Sequence, residues 1–245
     1  MLPGYYIGTS GWHYNHWRGI FYPDKIPAKD WLRFYSSHFN TVEINSSFYR
    51  LPQESTFSSW DKAVPAGFCF AVKASRFITH IKRLKDAQDS VSTFLERARN
   101  LHSHIGPILY QLPPSLHRDN ARLESFLSIL SRSEGRLKHV FEFRHISWID
   151  PAVFVLLRRY NAGFCIFDMP GLTTPIEATS DFAYIRFHGK GDLYSGNYPD
   201  AELAEWAAKI SDMKQKLKAV YIYFNNDAAG NAVRNARTLR GYLTE

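Results

Sequence analysis

Residues 139–168 of the chain read HVFEFRHISWIDPAVFVLLRRYNAGFCIFD. The apolar segment from His139 to Arg144 predicts a buried strand, and Phe164 to Asp168 predicts a second one. Between them, Asp150 and Pro151 have the residue types of a helix N-cap and a first-turn proline, and apolar residues follow at helical spacing. A strand, a helix and a strand in this order predict two parallel strands joined by a crossover helix.

The same alternation extends over the whole chain. Eight segments have the composition of buried strands: Tyr5 to Ser10, Thr41 to Asn45, Cys69 to Lys73, Pro107 to Gln111, His139 to Arg144, Phe164 to Asp168, Ala183 to His188 and Ala219 to Asn225. Eight strands with intervening helices in 245 residues predict an α/β fold of the TIM (β/α)8 barrel type, formed by residues 1–245 as a single domain. Met169 to Asp181 lacks a helical period, so we expect a short helix or a loop there.

Composition limits the function classes. A hydrophobic content of 45% excludes a disordered or fibrous chain, and the net charge of +7 with 16% aromatic residues suggests an anionic partner that contains a ring or a sugar. Cys69 and Cys165 lie far apart in apolar segments, which argues against a disulfide framework or a Cys-rich zinc site. Neither a secretion signal nor an apolar run of about 18 residues is present, so we expect a cytoplasmic protein without a membrane partner.

Polar residues gather where the predicted strands end, and in a barrel these ends form the active-site face. The strand-end residues are Glu43, Asn45, Lys73, Gln111, Glu142, Arg144, Asp168, Arg186, His188, Tyr223 and Asn225. Side chains two positions apart in a strand share a face. Four strands therefore each present a pair of polar side chains to the same region: Glu43/Asn45, Glu142/Arg144, Arg186/His188 and Tyr223/Asn225. The alternative is a ring of ion pairs that closes the barrel top. The number of charges favours a ligand, because stability alone does not require so many buried charges.

Charge balance suggests roles for these residues. Three cations (Lys73, Arg144 and Arg186) face three carboxylates (Glu43, Glu142 and Asp168), and His188 can titrate. Such a ring can hold an anion while one carboxylate or the histidine moves a proton. We expect Glu43, Glu142 or His188 to be the acid or base. Glu43 is slightly favoured, because Arg144 would keep Glu142 ionised.

Two loops and several aromatic residues add binding candidates. Lys190 lies between two glycines after the seventh predicted strand, and Asn225 and Asn226 open the loop that leads to a helix near Gly230. This arrangement is typical of phosphate sites in barrels, although the glycines could simply turn the chain. Trp12 and Tyr49 follow the first two strands and could stack on a ligand ring; packing of the loops is the alternative.

A divalent metal is a weaker hypothesis. Glu142, Asp168, His188 and Asn225 end four strands and could act as ligands. Arg144 and Arg186 on the same faces would repel a cation, and the histidine spacing of a metal motif is missing. We therefore predict no metal site, and the sequence leaves the cofactor unknown.

Ordered motifs along the chain carry a family resemblance. They are Gly8 to Trp12 with Trp17, Gly19 and Phe21 to Pro23; Val42 to Asn45 with Phe48 and Tyr49; Phe70 to Lys73 with Thr79 and His80; Gln111 to Ser115; Glu142 to Arg144 with Ser147 and Trp148; Arg186 to Gly189; and Tyr223 to Asn226. From Tyr5 to about Leu243 the chain resembles the YecE-like proteins, the domain of unknown function 72 family. The resemblance implies a TIM-type barrel with its site at the barrel mouth, and it implies no particular activity.

Three functions are compatible with these observations. The first is an enzyme that acts on an anionic, phosphate-bearing small molecule at the carboxyl-terminal face of the barrel. A nucleic-acid-binding or nuclease-like barrel is the alternative, suggested by the basic charge and the surface rings. In the third, the pocket binds a metabolite without changing it.

Overall fold

A computed structural model describes residues 3–133, 137–191 and 194–244. Eight parallel strands form the barrel, and each falls on a predicted segment: β1 (Tyr5–Thr9), β2 (Thr41–Ile44), β3 (Cys69–Lys73), β4 (Ile105–Leu112), β5 (His139–Phe143), β6 (Gly163–Met169), β8 (Phe182–Phe187) and β9 (Ala219–Phe224). Their spatial order is β1-β9-β8-β6-β5-β4-β3-β2. The predicted TIM barrel is confirmed.

The barrel closes between its first two strands through a short contact. Ser10 and Glu43 form a parallel bridge, and the Gly11 amide donates to the Glu43 carbonyl at 2.9 Å. Gly8 permits the close approach, since a Cβ atom there would lie 2.1 Å from the carbonyl oxygen of Thr41. The closure therefore brings the ends of β1 and β2 together at one rim.

Helices pack outside the strands. Their bounds are α1 (Trp31–Ser36), α2 (Ser46–Tyr49), α3 (Glu54–Ala63), α4 (Gln88–Ala98), α5 (Asn120–Ser131), α6 (Pro151–Arg159), α7 (Asp200–Lys216) and α8 (Asn231–Thr244). The Asp150 carboxylate caps α6 by accepting from the Ala152 amide at 2.9 Å, as its sequence predicts. Within the described residues, no helix is long and apolar enough to cross a membrane.

The connection between β6 and β8 is a loop without a helix, which is one of the two alternatives expected for this stretch. Instead the chain turns back in the two-residue strand β7 (Leu172–Thr173), which pairs antiparallel with the end of β6. Thr179 then ties the returning chain to the barrel, because its hydroxyl accepts from the Phe164 amide at 2.8 Å. The pairing of β7 with β6 and the Thr179 hydrogen bond therefore hold this connection against the barrel without a helix.

The barrel interior has an apolar lower part and a charged upper part. The lower part is one cluster of inward-facing side chains, which includes Ala71, Leu109, Val140, Cys165, Tyr184, Tyr221 and Tyr223. Side chains at the alternate positions, such as Ile166 and Ile185, pack under the helices in a second cluster. Because the lower interior is filled, a ligand can reach only the upper layer at the strands' carboxyl ends.

Candidate functional site

Arg186 is at the centre of the upper layer and joins two carboxylates. Its Nη2 lies 2.7 Å from Oε1 of Glu43, and its Nη1 lies 2.6 Å from Oε2 of Glu142. All three side chains are fully buried. The structure thus brings together three predicted site residues from β2, β5 and β8.

Further donors occupy the two carboxylates. Glu43 accepts from the hydroxyls of Ser10 at 2.7 Å and Tyr184 at 2.5 Å, and Glu142 accepts from Nε of Arg144. Burial alone would raise the pKa of the Glu142 carboxyl, but Arg144 and Arg186 hold it well below its usual value. Both carboxylates are therefore engaged as acceptors, and this geometry supports a role in holding Arg186.

His188 is buried beside Arg144 and is neutral. Burial and the Arg186 charge hold the pKa of the imidazole well below its ordinary value. Nη2 of Arg144 lies 3.0 Å from Nε2 of His188, and because a guanidinium can only donate, Nε2 must accept. The ring proton is then on Nδ1, which lies 3.2 Å from the Asn225 side-chain amide. That amide must turn its oxygen toward the ring to accept the proton.

Lys73 ends β3 in the same layer and has no carboxylate partner in the described part of the chain. Its Nζ lies 4.3 Å from the centroid of the Phe48 ring, on α2. Burial, together with the charge of Arg186, lowers the pKa of the ammonium group to about 8. The cation–π contact offsets only part of the cost of burying this charge.

Asp168 and Lys190 do not join this layer, and the prediction of a ring balanced by three carboxylates is corrected here. The strand alternation turns Asp168 to the outer face, where its carboxylate accepts from the Tyr198 hydroxyl at 2.9 Å and pairs with Lys190 at 2.9 Å. Lys190 also pairs with Glu202 at 2.5 Å. Without Asp168, the layer holds Lys73, Arg144 and Arg186 against Glu43 and Glu142, which leaves one positive charge in excess.

The predicted phosphate loop is held by contacts within the protein. The Asn226 amide donates to the Gly196 carbonyl at 2.8 Å and to Asn235 at 2.9 Å. Gly189 has a φ of +100°, and a Cβ atom there would lie 1.9 Å from the carbonyl oxygen of Ser195. These contacts favour the interpretation in which the glycine turns the chain. Residues 192 and 193 of this loop lie outside the described residues.

The remaining predicted site residues occupy different depths. Tyr223 lies below the charged layer and contacts the Thr41 hydroxyl at 2.7 Å, whereas Gln111 pairs in register with Glu142 beside the mouth. Trp12 is buried against Trp60, with ring centroids 5.3 Å apart. Tyr49 is 75% exposed, so it lies outside the buried layer.

Sequence reasoning missed Ser10 and Tyr184, and it placed Phe48 near the mouth without predicting its contact with Lys73. The period-two pattern could have indicated Tyr184, because it precedes Arg186 by two positions and so shares its face. Ser10 lies at the end of the first predicted strand and was open to the same argument. Phe48 belongs to the short helix α2, whose position over Lys73 depends on the tertiary fold.

The described residues contain no group of three or more His, Cys, Asp or Glu side chains placed to hold a metal ion. Of the four residues considered as metal ligands, Asp168 points away from the others, and Glu142 and His188 both contact Arg144. The guanidinium occupies the position that a cation between these two side chains would need.

Comparisons with known proteins agree with this architecture. The family model described as "Protein of unknown function DUF72" matches residues 6–245. The UPF0759 protein YunF of Bacillus subtilis is 27% identical over 267 residues, covering 96% of this chain and 93% of YunF. The UPF0759 protein YecE of Escherichia coli K12 is 31% identical over 141 residues, covering 57% of this chain and 48% of YecE.

A solved structure shares the whole fold. The crystal structure of a DUF72 family protein from Thermotoga maritima superposes with a TM-score of 0.88 at 28% identity, covering 98% of this chain and 99% of that chain. The sequence match and the structural match both extend over nearly the full barrel. The chain therefore belongs to the DUF72 family.

Proposed function

We propose that this protein is an enzyme that binds an anionic, phosphate-bearing small molecule at the mouth of the barrel. One observation carries the proposal: Lys73 is a largely buried cation with no carboxylate partner among the described residues, in a layer where the other charges are paired. A buried charge without a partner lowers the free energy of unfolding by roughly several kcal/mol. A bound anion would supply the missing partner.

A purely structural plug accounts for the other charges but leaves Lys73 unexplained. Glu43 and Glu142 need Arg186, and Arg144 completes the contacts of Glu142. Replacing Lys73 with an apolar residue would improve such a plug, because the layer would then be neutral. The unpaired positive charge of Lys73 therefore favours a mouth that binds an anionic ligand over a mouth that is only closed by ion pairs.

Arg144 provides a second donor for the anion. Its Nη1 faces the sulfur of Met169 at 3.0 Å, and a thioether is a weak acceptor. A phosphate oxygen is a stronger acceptor for the same N–H group, and guanidinium groups bind phosphate with favourable geometry. The proposal therefore places the anion between Lys73 and Arg144.

Proton transfer is the chemistry that these groups support. Glu43 and Glu142 hold Arg186 and act as positioning residues in this proposal. Lys73, whose pKa is lowered to about 8, can exchange a proton near neutral pH. His188 is neutral and accepts from Arg144, so in this proposal it holds the guanidinium in place and is not a proton-transfer group.

Crystals grown with sulfate or phosphate test the binding site directly. We expect the anion to contact Nζ of Lys73 and a guanidinium nitrogen of Arg144. A mouth that stays free of anion at saturating sulfate, with all the ion pairs unchanged, would refute the proposal. Pairs of phosphorylated and dephosphorylated metabolites then identify the substrate, since a bound ligand raises the melting temperature.

Binding and turnover experiments on the same protein distinguish the competing functions. A nucleic-acid-binding protein would bind DNA or RNA with an affinity that falls steeply as salt rises, whereas we expect weak binding even at about 50 mM salt. A binding protein without catalysis would release its ligand unchanged. For an enzyme, incubation with the ligand that raises the melting temperature should yield a product detectable by mass spectrometry.

A further inference from the structure

The loop between β3 and α4, residues 74–87, is basic and begins directly after Lys73. Its cations are Arg76, Lys82, Arg83 and Lys85, and Asp86 is its carboxylate. None of these side chains takes part in an ion pair within the described residues. Exposed cations are commonly just solvated, but two side chains of this loop are held in place at the barrel mouth.

His80 is one of the two, and it shares an aromatic contact with Lys73. Its ring is nearly perpendicular to the Phe48 ring, with centroids 5.0 Å apart, and Nζ of Lys73 lies 4.3 Å from the centroid of the same Phe48 ring. Nδ1 of His80 lies 2.9 Å from the Thr79 hydroxyl oxygen, whereas Nε2 has no partner in the described part of the chain. A half-buried imidazole with a free nitrogen therefore lies beside the cation that carries the proposed function.

Arg83 is the other, and its backbone has an unusual conformation. Its φ of +50° lies in the left-handed region, which is unfavourable for residues with a side chain. The next residue, Leu84, is buried, and its amide donates to the Ile78 carbonyl at 3.0 Å. Nη2 of Arg83 donates to the Ser115 hydroxyl at 3.2 Å, in the loop after β4. The guanidinium is thus held between the loops after β3 and β4, and its other N–H groups have no partner among the described residues.

The surroundings of His80 are positively charged. Burial, together with the charges of Lys73, Arg76 and Arg83, lowers the pKa of its imidazole to about 4. These three cations are therefore close enough to disfavour the protonated ring, and His80 is uncharged at neutral pH. Cations gathered around a histidine repel one another in the free protein, whereas a bound anion would stabilise all of them. The arrangement is typical of a site that an anion completes.

These donors indicate a substrate with two anionic groups. Under the proposed function the first phosphate lies between Lys73 and Arg144, which leaves the free donors of His80 and Arg83 available to a second acceptor. A phosphate carries about two negative charges and three acceptor oxygens, which suits a guanidinium and a histidine that gains a proton on binding. We propose that His80 and Arg83 bind a second phosphate, so that the substrate is a bisphosphorylated small molecule. The inference rests on the proposed function, because it takes the first anion site as given.

Calorimetric binding of ligands with one and with two phosphates tests the inference. The probes are the bisphosphates of ethylene glycol, propane-1,3-diol and butane-1,4-diol, each compared with its monophosphate. The chain lengths differ because the linker must span the distance between the two sites. A charge-assisted contact to Arg83 or His80 should make at least one bisphosphate bind about tenfold or more tightly than its monophosphate.

Two variants remove the second site, and a third is the matched control. Arg83→Gln removes the guanidinium charge, and His80→Asn removes the ring that can gain a proton. Each should reduce the preference for the bisphosphate to about threefold or less. The affinity for the monophosphate should stay within about twofold in both, which shows that the variants fold and keep the first site intact. Lys85→Gln removes an exposed cation of the same loop that is not among the charges acting on His80, so the preference should stay at the wild-type value.

The role of His80 also predicts a dependence on pH. Alkane disulfonates of the same chain lengths are the probes here, because sulfonate groups do not titrate in the range of the experiment. A bound anion raises the pKa of the His80 ring from about 4, so the wild type should bind the disulfonate more tightly as the pH falls from about 7 to about 5. Lys73, with a pKa of about 8, is already protonated over this range. His80→Asn should lose the increase in affinity, and an increase that persists in this variant would overturn the assignment of His80.

The outcomes separate the two proposals. If the monophosphates bind but no bisphosphate binds more than about twofold more tightly, which two equivalent ends alone would produce, the second site is wrong and the proposed function stands. If no phosphate probe binds, both proposals are wrong. If a bisphosphate is preferred and both variants keep that preference, the second phosphate lies elsewhere and its assignment to His80 and Arg83 is wrong.

Discussion

Replacing Lys73 with methionine should stabilise the fold and weaken anion binding at the same time. Burial lowers the pKa of this ammonium group from 10.5 to about 8, so the charged form is less stable in the folded protein than in water. A full shift of this size corresponds to about 3 kcal/mol, and partial exposure of the side chain reduces it. We expect Lys73→Met to raise the free energy of unfolding at neutral pH by about 1 to 3 kcal/mol.

The stability gain should depend on pH in a defined window. Below about pH 8 both the folded and unfolded wild-type chains carry the ammonium group, so the gain is complete. Between about 8 and 10.5 the folded protein releases the proton first, and the stability of the wild type rises toward that of the variant. Above this window both forms are neutral and the gain disappears.

Binding should change in the opposite direction. A charge-assisted contact contributes about 1.5 to 3 kcal/mol, so Lys73→Met should bind sulfate about 10- to 100-fold more weakly. Sulfate keeps its charge in this range, and the protonated fraction of Lys73 falls about tenfold between about pH 7 and about pH 9. The affinity of the wild type should fall by the same factor, whereas that of the variant should stay constant.

Isothermal titration with sulfate and urea unfolding at several pH values measure both effects. Lys209→Met is the matched control, because Lys209 lies on the exposed face of α7 with its Nζ 5.3 Å from the Trp206 ring. The control removes a lysine over an aromatic ring outside the mouth, and both quantities should stay within error of the wild type. A Lys73→Met protein that binds sulfate as tightly as the wild type would refute the assignment of Lys73 to the anion.

Three further predictions concern buried ionisable side chains of the barrel. Arg186→Met should destabilise the fold by about 3 to 5 kcal/mol in urea unfolding, because it leaves Glu43 and Glu142 buried without their shared cation; a loss below about 1 kcal/mol would contradict this. Since the pKa of Glu142 is held well below 4.5, its contribution to stability is present above this pH and is lost as the pH falls further. The wild type should therefore lose stability relative to Glu142→Gln only below about pH 4.5. Burial raises the pKa of Cys69 to about 12 and that of Cys165 above its usual value, so iodoacetamide should label neither thiol in the native protein; rapid labelling at about pH 8 would show that the thiols are accessible.

The period-two alternation made most of the architecture predictable. Each strand of the barrel is an apolar segment of four to eight residues, so its position could be inferred locally. The polar residues at the strand ends followed from the same pattern. Glu43, Glu142 and Arg186 could be expected in one layer because parallel strands bring their carboxyl ends to one rim.

The partners within the layer were harder to predict. Asp168 lies one residue before the end of β6, whose two faces are both apolar and buried, so composition could not show which face the carboxylate takes. Because neighbouring positions of a strand face opposite sides, the Asp168 carboxylate points to Tyr198 and Lys190 and not into the mouth. That displacement changes the charge of the layer from balanced to positive, and it depends on a register that is set by the tertiary structure.

The function of the charged layer depends on which of its charged side chains are paired with one another. Arg186 and Arg144 together neutralise Glu43 and Glu142, because both terminal nitrogens of Arg186 and Nε of Arg144 contact those carboxylates. The net positive charge that an incoming anion meets is therefore the charge of Lys73. A substitution at Arg186 should therefore lower the stability of the fold, whereas one at Lys73 should weaken anion binding in a more stable protein. The two roles, holding the barrel top together and attracting the ligand, thus belong to different residues on β8 and β3, and the variants can test them separately.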